Sequence, residues 1–385
     1  MTAHIVGHEV ALVADRVHEA RARRVGLRIT GAASWLDAGR PCDATQPLDI
    51  GALQGITQYE PGDLTLTARA GTSLAEIQRV TLAERQWLTL DAHGSPNGTL
   101  GATVSTASSG PLASAYGTPR DHVLGCEFVS GTGDVVRAGG RVVKNVAGFD
   151  LVRLVTGAWG ALGALTEITV RLRALPEVDS TLAVEVAGNS SAQVAAAAWS
   201  WFRQSDYSPL AAELVSPALA ARLSLPPSCL MVRLGGNSPL VRAGQDAAAS
   251  LGVTMPVDCS TWNALSSAEP DGAITVRAST LPSRMHDLWP RAVALAEGCG
   301  GYAHATIARG VVRCVIPAPS DDETLRHFRS ALTQLAADFT VVGERMPASL
   351  WSILSRPRST DALGAGIRRA FDPDGILNTG ILGVA

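Results

Sequence analysis

Residues 94–110 read GSPNGTLGATVSTASSG, and almost every one is small or hydroxylated. Backbone left out of helices and sheets must find hydrogen-bond partners elsewhere. Small side chains let N–H groups approach a ligand closely, and serine and threonine add hydroxyl donors, a combination that suits a pyrophosphate. Loops that merely cover a sheet would have the same composition, so composition alone does not choose. The surroundings point the same way, because residues 91–170 hold 14 of the 38 glycines. Two more turns of small residues accompany it, TGAASW (30–35) and YGTPRDHVLG (116–125).

Working outward, regular elements frame these turns. VGLRITGAASW (25–35) reads as a short strand ending in a turn. DLTLTARAG (63–71) alternates as a half-buried strand does, with Leu64, Leu66, Ala68 and Ala70 on one face. Ser73 and Glu76 have capping-box spacing, so a helix is predicted from Leu74. CEFVSGTGDVVRA (126–138) reads as a hairpin. FDLVRLVTG (149–157) is a short helix, capped by Asp150, stapled by Phe149 and Leu154 and closed by Gly157. LTEITVRLRALP (165–176) is a further strand, with Ile168, Val170 and Leu172 inward. Beyond 176, strand-like runs (TLAVEVAG, CLMVRLGG, AITVRAS, GVVRCVIP, FTVVGER) alternate with alanine-rich helices. That pattern predicts an antiparallel sheet with helices on one face. RRAFDPDGILNTGIL (368–382) reads as a helix end, a Pro/Gly turn and a short extended piece. No internal repeat of 20–50 residues is evident.

At 385 residues the expectation is two domains. The net charge of −3, with scattered arginines, gives no footprint for nucleic acid. RARR (21–24) reads as the solvated face of an N-terminal helix. There is no signal-peptide pattern and no 18-residue apolar run, so the expected chain is soluble and cytoplasmic, at most peripheral to a membrane through partners. None of the six cysteines has zinc or iron–sulfur spacing. Neither a G-x-G-x-x-G after a strand, nor a P-loop, nor H-E-x-x-H, nor G-x-S-x-G occurs. His93, His122 and His304 stand apart from one another, and a structural or solvated role fits each better than catalysis. No catalytic residue and no metal site is assigned. One compositional oddity remains: Lys144, in GGRVVKNVAGFD (139–150), is the single lysine among 31 arginines.

Residues 1–176 resemble the FAD-binding domain of the vanillyl-alcohol oxidase/p-cresol methylhydroxylase (PCMH-type) family. ITGAASW is similar to that family's first pyrophosphate loop, LTLTARAGTSLAEIQ to its strand–turn–helix, and TLGATVSTASSG to its T-[IL]-G-G-x-[VA]-[AS]-x-x-x-x-G loop. YGTPRDHVLG, VVKNVAGFDLVRLVTGAWGALGALTEITVRL and FDPDGILNTG fall at its later motif positions, in order. Within the family the resemblance runs to the E-type subunits of bacterial glycolate oxidases, marked by GGRVVKNVAGFDL.

The resemblance implies an α+β architecture. A two-subdomain FAD-binding fold (1–176) is followed by a smaller antiparallel-sheet-plus-helices cap (177–345), and a C-terminal segment (346–385) returns to the FAD domain. It implies non-covalent FAD. Gly31, Ala32, Ala33, Ser34 and Trp35 would face the pyrophosphate. Gly98, Thr99, Gly101, Ala102, Ser105, Ser109 and Gly110 would line phosphates and ring, supported by Tyr116, Gly117 and Asp121. Glu167 and Ile168 would lie near the adenosine half, Asn378 would return with the tail, and Lys144 would occupy the family's lysine position.

The chain departs from the pattern at Ala32-Ala33-Ser34 and Ala102, where glycines are usual, and His304 has no second histidine near it. Three functions are therefore weighed. The first is the FAD-binding subunit of a glycolate oxidase complex, passing electrons to iron–sulfur clusters beside a D-like catalytic flavoprotein and an F-like iron–sulfur subunit. The second is a self-sufficient oxidoreductase of a small 2-hydroxy acid. The third is a structural subunit whose flavin fold has lost its ligand.

Overall fold

The computed structural model describes residues 7–44, 46–95, 97–140, 150–318, 321–354 and 361–383. It divides into two units. One comprises Met1–Ser109, Gly117–Leu175 and Arg356–Ala385, the other Gly110–Tyr116 and Pro176–Ser355.

The first unit is organised by a five-stranded antiparallel sheet. Its order is Ile56–Glu60, Thr65–Arg69, Ala164–Arg171, Val123–Val129, Val135–Gly139. The strand predicted within 63–71 forms over Thr65–Arg69, but it is not half-buried as expected: Leu64 falls outside it at φ +53°, and both faces are covered. Thr65 and Thr67 are buried, and the Thr67 hydroxyl pairs across the ladder with that of Thr169 at 2.9 Å. A fully covered strand can carry threonines because each hydroxyl finds a partner. Ser73 caps Leu74–Leu82, accepting from the Glu76 N–H at 3.1 Å. Asp150 caps Leu151–Val155 through the Arg153 N–H at 3.0 Å. The amphipathic helix His8–Arg23 buries Val10, Val13, Val17 and Ala20.

A small parallel pair, Leu27–Thr30 with Gln46–Asp49, stands apart from the main sheet. Its open edge is closed by the C-terminal tail. The Leu27 N–H donates to the Ile376 carbonyl at 2.7 Å, and the Asn378 N–H donates to the Leu27 carbonyl at 2.9 Å. The tail is turned by Asp372, a buried carboxylate that accepts from the Ile376 and Leu377 N–H groups. The helix before it is Ala362–Phe371.

The second unit is built on an eight-stranded, wholly antiparallel sheet. Its order is Gly252–Val257, Val178–Val186, Cys229–Gly236, Ala211–Val215, Tyr302–Thr306, Val311–Ile316, Ile274–Ser279, Thr340–Arg345. Read along the chain, this is two β-α-β-β-α-β halves joined edge to edge through Ala211–Val215 and Tyr302–Thr306. The repeat is longer than the periods expected of solenoids, which is why no short period shows in the sequence.

Four long helices (Ser191–Gln204, Ser238–Ala249, Met285–Glu297, Asp322–Asp338) contribute to the larger core of this unit. A smaller core includes Leu219 and Ala220 of Pro217–Arg222, and Trp262 and Leu265 of Thr261–Ser266. Helices therefore serve two cores, not the single face expected.

The sheet also carries a buried charge network. His304 Nδ1 lies 2.6 Å from Glu213 Oε1 at the junction of the two halves. Arg313 is held by Glu269 at 2.7 Å and by Glu344, Arg345 reaches Glu269 at 3.1 Å, and Arg277 reaches Glu344 at 3.3 Å. Among the described residues, no helix is long and apolar enough to cross a membrane.

Candidate cofactor site

A cleft of about 1110 Å³, counted to its open mouth, lies within the first unit. It brings together the turn after the Leu27–Thr30 strand, residues 92–95, the stretch from Gly98 to Ser108, Trp159 and Asn378.

The quoted stretch is not a plain loop. Leu100–Thr106 is a helix, capped by Thr99. Glycine, valine, serine and two threonines give it poor helix propensity, so its sequence hid it. Tertiary bonds supply the stability. The Leu100 N–H donates to the Thr72 carbonyl at 2.9 Å and the Gly101 N–H to the Ala70 carbonyl at 2.8 Å. The Ala102 N–H donates to Thr99 Oγ1 at 3.2 Å. The opening N–H groups of this helix are thus spent inside the protein. Glycine at 101 serves the same packing, since a Cβ there would stand 2.8 Å from both the carbonyl oxygen and the Cβ of Ala70. What faces the cleft is the outer side of the helix, including Ala102 and Ser105.

The first turn is different. Among the described residues, nothing accepts from the N–H groups of Gly31, Ala32, Ala33 or Ser34. Ala33 has φ +58°, the left-handed conformation that one residue of an anion nest adopts. Glycine at 31 has a steric cause, because a Cβ there would lie 2.6 Å from Thr99 Oγ1. The turn and the helix cap are therefore in contact. Arg28 braces the turn from within, its Nη2 donating to the Leu36 carbonyl at 3.0 Å and the Ala38 carbonyl at 3.4 Å. Its Nη1 is buried without a protein acceptor, and Arg28 is among the residues that line the cleft. Four open N–H groups and one orphaned guanidinium nitrogen fit the diphosphate of FAD.

Asn378 ties the wall together. Its Oδ1 accepts from the Ile29 N–H at 2.8 Å, and its Nδ2 donates to the Trp159 carbonyl at 2.7 Å. Ala33, Trp159 (φ +54°) and Asn378 (φ +43°) all adopt left-handed backbone at the cleft, a strain kept only where surroundings enforce it. Replacing Asn378 by leucine removes both bonds and puts a branched side chain at positive φ. The expected result is a loss of about 2–4 kcal/mol of stability and weaker FAD retention. Urea unfolding and flavin content measure both, and Asn378→Gly, which tolerates the dihedral, is expected to lose less.

Of the residues singled out from sequence, Gly31 to Trp35, Gly98, Thr99, Gly101, Ala102, Ser105 and Asn378 line this cleft. Others lie elsewhere. Asp121 caps its own turn, accepting from the Thr118 N–H at 2.8 Å and from the Thr118 hydroxyl. That backbone bond holds its carboxyl below the ordinary value. Gly117 (φ +89°) closes the same turn, where a Cβ would meet Asp121. Glu167 bonds Thr57 at 3.0 Å and faces Arg69, and Ile168 is fully buried in the sheet core. Ser109 is not on the cleft lining, and Gly110 and Tyr116 fall in the second unit. Lys144 and Phe149 lie outside the described residues. Sequence reasoning missed Arg28 and Trp159 as cleft residues. Only the fold shows them, because one sits inside a strand and the other in a glycine-rich turn.

Residues 3–139 match the family described as the FAD binding domain. Curated relatives include the glycolate oxidase subunit GlcE of Escherichia coli (strain K12), 37% identical over 173 residues, which are 45% of this chain and 49% of the relative. The glycolate oxidase subunit GlcD of Bacillus subtilis (strain 168) is 33% identical over 37% of this chain and 31% of its own length. The mitochondrial D-lactate dehydrogenase [cytochrome] of Arabidopsis thaliana is 33% identical over 34% of this chain and 23% of its own length. The chain thus spans half or less of the length of these relatives. A solved alkyldihydroxyacetonephosphate synthase superposes with a TM-score of 0.69 at 16% identity, over 96% of this chain and 75% of that one. This last likeness concerns the fold.

Proposed function

We propose that this chain, whose residues 3–139 match an FAD binding domain, is the FAD-binding subunit of a glycolate-oxidising complex. The observation that carries the reading is the cleft with its open N–H nest. The likeness to GlcE and to GlcD gives the class of reaction, a small 2-hydroxy acid such as glycolate oxidised to its 2-oxo acid. FAD, when bound, supplies hydride acceptance and release of electrons one at a time. The chain's own part is to hold it. The nest and Arg28 carry the diphosphate, Ala102 and Ser105 present a small and polar wall, and Asn378 keeps the turns in place.

The second unit supports a subunit role. Arg277, Arg313 and Arg345 are each engaged by Glu269 or Glu344, and His304 by Glu213. Cations committed in this way are poorly placed to grip a substrate carboxylate. Partners would then supply the remaining chemistry, a D-like catalytic flavoprotein and an F-like iron–sulfur subunit. The Arabidopsis relative's name favours the second reading, a self-sufficient 2-hydroxy-acid oxidoreductase.

The experiment is to purify the chain alone and record its flavin spectrum before and after adding FAD, then assay glycolate with a dye acceptor. Bound or captured flavin is expected, with turnover only once both partners are added. Failure to take up any flavin overturns the flavoprotein reading. Turnover of glycolate or lactate by the isolated chain overturns the subunit reading in favour of the second.

A further inference from the structure

The cleft has an aromatic wall that the nest does not account for. Trp35 follows the four open N–H groups directly in sequence, and its ring stacks on Trp159, with centroids 6.2 Å apart and planes inclined by 22°. Both indoles line the cleft. Trp159 is held against its own preference. A bulky residue at φ +54° is an outlier, and two hydrogen bonds fix it there: its N–H to the Ser105 carbonyl at 2.8 Å, and its carbonyl from Asn378 Nδ2. Behind the ring, Gly39 is a close neighbour. A Cβ at that position would stand 3.0 Å from Trp159 Cζ3. The wall is thus preorganised from three sides, by Ser105, Asn378 and Gly39.

Strain of this kind is kept where a ligand is clamped. In a nucleotide, a short sugar or ribityl bridge joins the phosphate to a planar heteroaromatic ring, so a site that pairs an anion nest with an aromatic face reads both parts at once. Resting on the FAD reading, we infer that the Trp35–Trp159 stack is the ring-gripping element of this cleft. It receives a planar ring of the cofactor beside the phosphates and sets affinity through stacking, not hydrogen bonding.

The test uses the full chain stripped of flavin, titrated with FAD, ADP and FMN while tryptophan emission is followed. Wild type is compared with Trp35→Ala, Trp35→Phe and Trp159→Phe, and thermal unfolding of each is recorded. The expected result is quenching on FAD binding, about tenfold weaker binding in Trp35→Ala at unchanged melting temperature, and near-native binding in Trp35→Phe. If the gripped ring is adenine, the loss appears with ADP; if it is isoalloxazine, with FMN. Either outcome supports the clamp and names the ring. Native FAD affinity in Trp35→Ala, with wild-type quenching in Trp159→Phe, overturns it while the flavoprotein reading stands. A wild-type chain that binds none of the three probes overturns that reading, and the clamp with it.

Discussion

Gly71→Ala is expected to unfold the first unit or cost it at least about 3 kcal/mol, more than ordinary overpacking does. A single added methyl would stand 2.6 Å from three carbonyl oxygens, those of Ile50, Gly51 and Leu53. Three oxygens from one turn cannot all retreat, because the Gly71 N–H is itself bonded to the Leu53 carbonyl at 2.8 Å. Relaxation would also move Gly51, whose own missing side chain leaves room for the Gly31 carbonyl of the nest. Flavin capture should therefore fall with stability. Gly62→Ala is the control, since nothing lies within 4 Å of a Cβ there. Soluble yield and urea unfolding followed by tryptophan emission distinguish the two variants.

Arg313→Met is expected to be the most damaging change in the second unit. It leaves Glu269 and Glu344 buried with one cation fewer, which typically costs about 3–5 kcal/mol. The double variant Arg313→Met with Glu344→Gln should recover part of that loss. Acidity offers a second measurement. Burial pushes the Glu344 carboxyl up, but Arg313 and then Arg277 outweigh it and hold the group below its ordinary range. Its stabilising contribution is full above the unfolded value of about 4.3 and is lost as pH falls through the lower folded value. Melting temperature should fall more steeply below about pH 4 in wild type than in the Arg313→Met variant.

Local signals in the sequence were reliable where side chain and backbone agree. The caps at Ser73 and Asp150, the 126–138 hairpin and a strand within 63–71 all formed as their residues dictate, although the last is buried on both faces. Three strands of the second unit were not legible: Ala211–Val215, Gly252–Val257 and Tyr302–Thr306. AAELV and YAHAT are short and alanine-rich, and alanine favours strands poorly. They become strands because each is paired on both sides at the middle of the sheet. The candidate site was legible as a region, but the division of labour within it was not. Composition cannot show that Gly101 makes room for Ala70 while Gly31 makes room for Thr99, or that the Leu100–Thr106 helix spends its N–H groups internally.

The edge of the Leu27–Thr30 strand is closed by residues 376–378, from the opposite end of the chain. A ribosome must therefore deliver the chain as far as residue 378 before the nest at 31–34 has its brace. During synthesis the first unit waits with that edge unpaired while the second unit, nearly contiguous in sequence, can already condense. Cofactor capture becomes a late, post-translational event, and its rate is set by the closing of this long loop. Cells short of flavin would then accumulate chains in which the stretch around residues 372–378 is open to proteases.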